Sequence, residues 1–284
     1  MLKVEHLRIA FKMGKALSVP VRDVSFNIPE AGRVALVGES GCGKSLTALA
    51  LGGLVERAEI SGNFEGDADI SYVFQNPMAS LDPVMRAGRQ ILEAAPDAKA
   101  AKRDLPALLE SVGLPPSTAS KYPCQLSGGQ QQRVMIAMAL AAKPDILVAD
   151  EPTTALDVTT QKEVLDLIDS VARERAMAVL FITHNLGLVA RYSDYVYVMY
   201  AGKIVEEGGV LAVLSNPQHP YTKGLLDAVP RLDSPKDAPL KDIPGTVPSP
   251  LDWPTGCAFH PRCDRAMPLC SSPAFARCPF VRGH

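Results

Sequence analysis

Apolar positions at the start of the chain, Val4, Leu7, Ile9 and Phe11 and then Val21, Val24, Phe26 and Ile28, predict a β-rich N-terminal portion. The run Arg33-Val34-Ala35-Leu36-Val37 suits a buried strand, and Leu46, Leu49 and Leu54 recur after it at helical spacing among alanines. Residues 59–66 predict a turn-rich hairpin region, and 70–74 a strand that ends at Gln75. From 77 to 121 the pattern is one of short helices broken by prolines, such as 89–95 and 105–112, hence a helical insertion. Beyond it, a helix over 129–142, an apolar strand over 146–149, a helix over 161–174, a strand over 178–182, a helix over 186–192 and a strand over 195–199 alternate. Such βαβ alternation predicts a parallel sheet with helices on both faces. From about Asn216 prolines multiply and periodicity fades, apart from a short helix over 221–228, so 216–284 is expected to pack poorly without help.

Between the first buried strand and its helix stands Gly38-Glu39-Ser40-Gly41-Cys42-Gly43-Lys44-Ser45, a G-x-x-x-x-G-K-S phosphate loop. Its glycines let successive backbone N–H groups turn inward toward phosphate oxygens, and the helix N-terminus adds about half an elementary positive charge. Lys44 supplies a point charge for the outer phosphates, and the Ser45 hydroxyl is the expected ligand of Mg²⁺, a small hard ion that takes oxygen donors. Cys42 lies inside the cradle, where the helix N-terminus is expected to favour thiolate.

Composition narrows the class. The 284 residues can bury a sizeable core, and a net charge of −2 with acidic and basic residues mixed disfavours nucleic acid as a partner. No apolar stretch approaches the roughly 20 residues needed to span a bilayer, and the start of the chain lacks a secretory pattern. A cytoplasmic protein is expected, with any membrane role arising through a partner.

Asp150 and Glu151 end the strand over 146–149, at the carboxyl edge where parallel sheets bind ligands. Asp150 is read as holding Mg²⁺ through water and Glu151 as polarising the water that attacks the γ-phosphate. Leu126-Ser127-Gly128-Gly129-Gln130 opens a helix with Ser127 as N-cap, a second anion site. One nucleotide needs only one phosphate loop, so a second such helix start suggests ATP sandwiched between two chains.

In this order the motifs resemble an ABC-transporter nucleotide-binding subunit over about residues 2–230. The resemblance implies an α/β P-loop ATPase with an antiparallel β subdomain and a helical insertion, and an ATP-hydrolysing enzyme of the translocase class. It identifies 126–130 as the signature loop, Asp150 and Glu151 as the Walker B aspartate and catalytic glutamate, and Gln75 as the Q-loop residue, a further Mg²⁺ contact. Residues 155–157, with Asp157, match the D-loop, and His184 the switch histidine. The family stacks adenine on an aromatic residue, yet 15–19 has none; Leu17 is the candidate rest for adenine, and Phe11 is read more as a core residue.

Residues 76–90 and Asn216-Pro217-Gln218-His219-Pro220-Tyr221-Thr222 resemble the dipeptide, oligopeptide and nickel importer branch. That implies an ABC ATPase domain over 1–230, with its helical insertion at about 77–128, and a C-terminal extension over 231–284 carrying Cys257, Cys263, Cys270 and Cys278. The four thiols could hold a [4Fe–4S] cluster or Zn²⁺, or stand reduced and unligated. Implied partners are a second ATPase subunit, the same or a sister chain, integral membrane permease subunits and, indirectly, an extracytoplasmic substrate-binding protein. The implied location is the cytoplasmic face of the cell membrane. The rival readings are a soluble ABC ATPase not coupled to transport and a degenerate, regulatory cassette.

Overall fold

The computed structural model describes residues 1–153, 157–229, 242–275 and 277–281. D-loop positions 155 and 156 therefore lie outside the described residues, as does the expected domain boundary at 230.

Two long strands, β1 (Leu2–Met13) and β2 (Ala16–Ile28), open the chain as the apolar pattern predicts. The odd step from Val4 to Leu7 is a bulge: pairing slips between Glu5 and Arg8, and His6 takes φ 53°. Strand β3 (Arg33–Val37) leads through the phosphate loop to α1 (Lys44–Leu51). The buried face of α1 is Lys44, Thr47, Ala48 and Ala50; Leu54 lies beyond the helix and is exposed, so the leucine spacing misjudged which face packs. Residues 59–66 are not a hairpin of their own but β4 (Glu59–Glu65), paired antiparallel with β1. Gly62 explains the turn-like composition, since a Cβ there would stand 2.8 Å from Leu7 Cα at the bulge.

Strand β5 (Ile70–Val73) is followed by α2 (Pro77–Ser80), α3 (Ala87–Ala94) and α4 (Ala98–Ser111). The expected breaks hold at Pro96, between α3 and α4, and at Pro115, beyond α4, but Pro106 lies inside α4 without ending it and removes one donor opposite the exposed Lys102. Next come α5 (Gly128–Ala141), β6 (Ile146–Asp150), α6 (Val158–Glu174), β7 (Ala178–Thr183), α7 (Leu186–Tyr192) and β8 (Tyr195–Tyr200), in the alternation the sequence predicts. Sequence periodicity missed β9 (Lys203–Gly209), which returns antiparallel to β8 across Ala201 and Gly202, with φ 48° and 76°. Left-handed conformation at both turn residues matches the twist of a two-residue hairpin. Helices α8 (Val210–Ser215) and α9 (Pro220–Asp227) follow.

The chain divides into two compact units, one of residues 1, 28–32 and 67–181, the other of 2–27, 33–66 and 182–284. In the first, β5 and β6 run parallel from Ile70 beside Ile146 to Val73 beside Ala149, and β7 flanks β6. In the second, the strand order is β4, β1, β2, β9, β8, β3, with β3 parallel to β8. Strands β3, β6 and β7 are almost wholly buried, which accounts for their continuous apolar runs.

The described part of the C-terminal extension contradicts the expectation of poor packing. Pro250 accepts a bond from Val19 N–H at 3.1 Å, and Trp253 Nε1 donates to Val19 O at 2.9 Å. Phe259 is buried, its ring centroid 5.2 Å from that of Tyr200 and 5.3 Å from that of Tyr221. Aromatic burial replaces the missing periodicity as the source of cohesion.

Candidate functional site

In the second unit β3 delivers the chain to Gly38, where a Cβ would meet Met199 O at 2.2 Å, so only glycine lets the loop leave the sheet here. Gly43, the N-cap of α1, has φ 98° and no side chain to cap the first helical amides. Lys44 is 5% exposed, and its Nζ donates to Gly38 O at 2.8 Å and to Glu39 O at 2.9 Å. The loop's own carbonyls thus fix the direction of the Lys44 ammonium. Ser40, Gly41 and Ser45 are exposed.

Cys42 departs from expectation. It is fully buried, and burial pushes its thiol up, outweighing the nearby Ala201 amide and Lys44. Its backbone carbonyl accepts from Gly202 N–H at 3.0 Å, so the residue belongs to the packing of the loop on the β8–β9 turn rather than to a reactive thiolate. Leu17 is 43% exposed on β2, and Phe11 on β1 is only half-buried, so Phe11 is not the core residue it was expected to be. His184 follows β7 directly and is exposed; Asn185 behind it caps α7 by accepting from Gly187 N–H at 2.9 Å.

In the first unit β5 and β6 end side by side, bringing together Gln75 and Glu151, which are 76 positions apart: Gln75 Nε2 donates to Glu151 Oε2 at 3.2 Å. Glu151 has φ 44°, left-handed for a residue with a Cβ, an uncommon conformation of the kind found at functional sites. Asp150 is half-buried at the end of β6. Ser127 caps α5 reciprocally: its Oγ accepts from Gln130 N–H at 3.3 Å, and its N–H donates to Gln130 Oε1 at 3.0 Å. Gly128 begins the helix, and at Gly129 a Cβ would approach Thr160 Cγ2 to 3.0 Å. Asp157 caps α6, and its carboxylate is held below the usual range by the backbone N–H of Thr160 and then by the Thr160 hydroxyl.

Taken one by one, Ser45 in the second unit and Gln75 and Asp150 in the first carry a hydroxyl, an amide carbonyl and a carboxylate, the hard oxygen donors that Mg²⁺ takes. The tail thiols are different. Cys257 N–H donates to Cys270 O at 2.8 Å, and Cys257, Cys263 and Cys278 each feel the charge of Cys270, yet burial is the largest influence on each and pushes all three up. Among the described residues no three His, Cys, Asp or Glu side chains form a metal-holding group. Sequence reasoning missed Glu39 as a bonded position, together with Tyr221 and Arg262, which reach it from 182 and 223 positions away. No local signal could have found that pairing.

Residues 21–154 match the ABC transporter family model, and 205–270 the model of the oligopeptide/dipeptide transporter C-terminal region. An ATP-binding cassette solved as a dimer in a post-hydrolysis state with ADP and Pi superposes with a TM-score of 0.65 at 28% identity, covering 74% of this chain and 99% of that one. Fold and loops together define an ABC-transporter ATPase. The dipeptide transport ATP-binding protein DppD of Bacillus subtilis is 42% identical over 95% of this chain and 88% of its own length. The oligopeptide transport ATP-binding protein OppD of Salmonella typhimurium is 41% identical over 96% and 88%. The chain belongs to this family of ABC-transporter ATP-binding proteins. Among the described residues no helix is long and apolar enough to cross a membrane.

Proposed function

We propose that the chain powers an importer of peptides, or of nickel and related small solutes, from the cytoplasmic face of the membrane. Two ATPase subunits, identical or sister chains, close head to tail on two ATP molecules, each phosphate loop facing a partner's signature loop. Lys44 and the amides of 38–45 hold the phosphates, Leu17 or Phe11 meets adenine, and Ser127 to Gln130 and Asp157 serve the nucleotide of the opposite subunit. Ser45, Gln75 and Asp150 would hold Mg²⁺, whose charge offsets that developing on the phosphates. Glu151 takes the proton of the attacking water, and His184 contacts the γ-phosphate.

The observation that carries this reading is the Gln75–Glu151 hydrogen bond of 3.2 Å, which ties the hydrolytic carboxylate to the segment that enters the helical insertion. Through it the state of the nucleotide reaches the permease subunits, which receive cargo from an extracytoplasmic binding protein. The relatives named for dipeptide and oligopeptide transport support the cargo class. The test is ATP-dependent peptide accumulation in vesicles that carry the permease subunits with this chain.

A finer reading of the tail puts a [4Fe–4S] cluster or Zn²⁺ on Cys257, Cys263, Cys270 and Cys278. Their shared neighbourhood supports it, and burial, which favours protonated thiols, opposes it. Anaerobic purification with iron, sulfide and zinc analysis decides: about four irons per folded chain, or one zinc, supports the site, and a folded metal-free tail removes it.

A further inference from the structure

Arg262 of the C-terminal extension reaches Glu39, the second residue of the phosphate loop. Nη1 donates to Glu39 Oε2 at 2.8 Å and Nη2 to Oε1 at 2.9 Å, a bidentate fork. Nε donates to Pro244 O at 2.7 Å, Nη2 also to Ile243 O at 3.2 Å, and Nη1 to Tyr200 Oη at 3.2 Å. The Arg262 side chain is 5% exposed and that of Glu39 28%, so this is an enclosed pair with its donors filled, unlike an exposed surface ion pair. The backbone of Glu39 is held as well, its N–H donating to Tyr221 Oη at 2.7 Å. Tyr221 and Tyr200 in turn pack against Phe259, three positions before Arg262.

A carboxylate at this position has a consequence for binding. Glu39 O helps orient the Lys44 ammonium, so its side chain stands in the loop that must receive a polyanion. An unpaired negative charge there repels phosphate, whereas a forked guanidinium cancels the charge and fixes the carboxylate's direction.

We propose that Arg262 is a positioning residue for the nucleotide: by neutralising and holding Glu39, the C-terminal extension sets the affinity of the phosphate loop for ATP. The proposal rests on the reading of 38–45 as that loop, and its test separates the two. A fluorescent ATP analogue with Mg²⁺ is titrated into the full chain carrying Arg262→Ala, Arg262→Lys, Arg262→Ala with Glu39→Gln, or Lys44→Ala. Arg262→Ala is expected to weaken binding about tenfold, the scale of one lost charge pairing. Arg262→Lys, which keeps the charge and loses the fork, is expected to fall between wild type and Arg262→Ala. Adding Glu39→Gln to Arg262→Ala is expected to restore most of the affinity, because the repelling charge is gone; a purely structural role gives no such rescue. In the assembled transporter KM for ATP is expected to rise with kcat unchanged. If Arg262→Ala does not fold, Arg262→Gln takes its place. Wild-type affinity in Arg262→Ala, or a double variant no tighter than the single, overturns the proposal. Wild-type affinity in Lys44→Ala instead overturns the phosphate-loop reading beneath it.

Discussion

Replacing Glu151 by Gln is expected to lower ATP turnover by about 10²–10⁴-fold, the usual contribution of a positioned general base, while ATP binding persists. The side chain is nearly isosteric and can still accept from Gln75, whose Nε2 lies 3.2 Å from Glu151 Oε2, so the end of β6 keeps its shape. What disappears is the basic oxygen. ATP is retained because its phosphate contacts are assigned to Lys44 and the amides of 38–45, which the substitution does not touch. Steady-state phosphate release and equilibrium nucleotide binding on the same preparation check both halves. Near-wild-type hydrolysis would remove Glu151 from the role of base, and loss of binding would mean that the carboxylate instead supports the fold around it.

Gly38→Ala is expected to be the most damaging single methyl in the phosphate loop. Gly38 follows Val37, which is paired with Val198 in the parallel β3–β8 ladder, so its α-carbon faces the Met199 peptide. A Cβ would lie 2.2 Å from Met199 O, a backbone atom that cannot rotate aside as a flexible side chain could. Either strand must shift, and overpacking of this kind costs about 1–3 kcal/mol. The same shift displaces Gly38 O, one of the two carbonyls that hold Lys44 Nζ, so nucleotide affinity is expected to fall together with the melting temperature. Thermal unfolding and nucleotide titration of the variant measure the two effects, and wild-type values in both would contradict the close approach.

The parts of the site that were legible in the sequence are those whose chemistry is local. The phosphate loop lies between a strand and a helix because Val34 to Val37 bury and Gly43 opens α1. The reciprocal cap of Ser127 and Gln130 joins positions three apart, and Asp150 ends the β6 strand that the apolar run announces, with Glu151 directly after it. Contacts between distant positions left no such trace. Gln75 meets Glu151 only because β5 and β6 pair in parallel, and Arg262 meets Glu39 only because the aromatic cluster of Tyr200, Tyr221 and Phe259 seats the tail.

The fold misreadings have equally specific causes. Composition misled at β4, where Gly62 and Asn63 suggest a turn but Gly62 clears the bulge in β1. Periodicity misled at α1, where Thr47, Ala48 and Ala50 rather than the leucines make the buried face. At Cys42 two influences compete, the helix N-terminus favouring thiolate and burial opposing it, and burial dominates for a fully enclosed sulfur.

The central claim is that ATP hydrolysis by this chain drives solute across a membrane through partner subunits. The direct measurement is accumulation of labelled dipeptide or oligopeptide inside vesicles that contain the permease subunits, the binding protein and this chain. With wild-type chain and ATP, accumulation is expected to proceed in step with phosphate release, and Glu151→Gln is expected to stop both. Hydrolysis at an unchanged rate with no permease present and no solute gained when it is, or uptake that continues with Glu151→Gln, would contradict it.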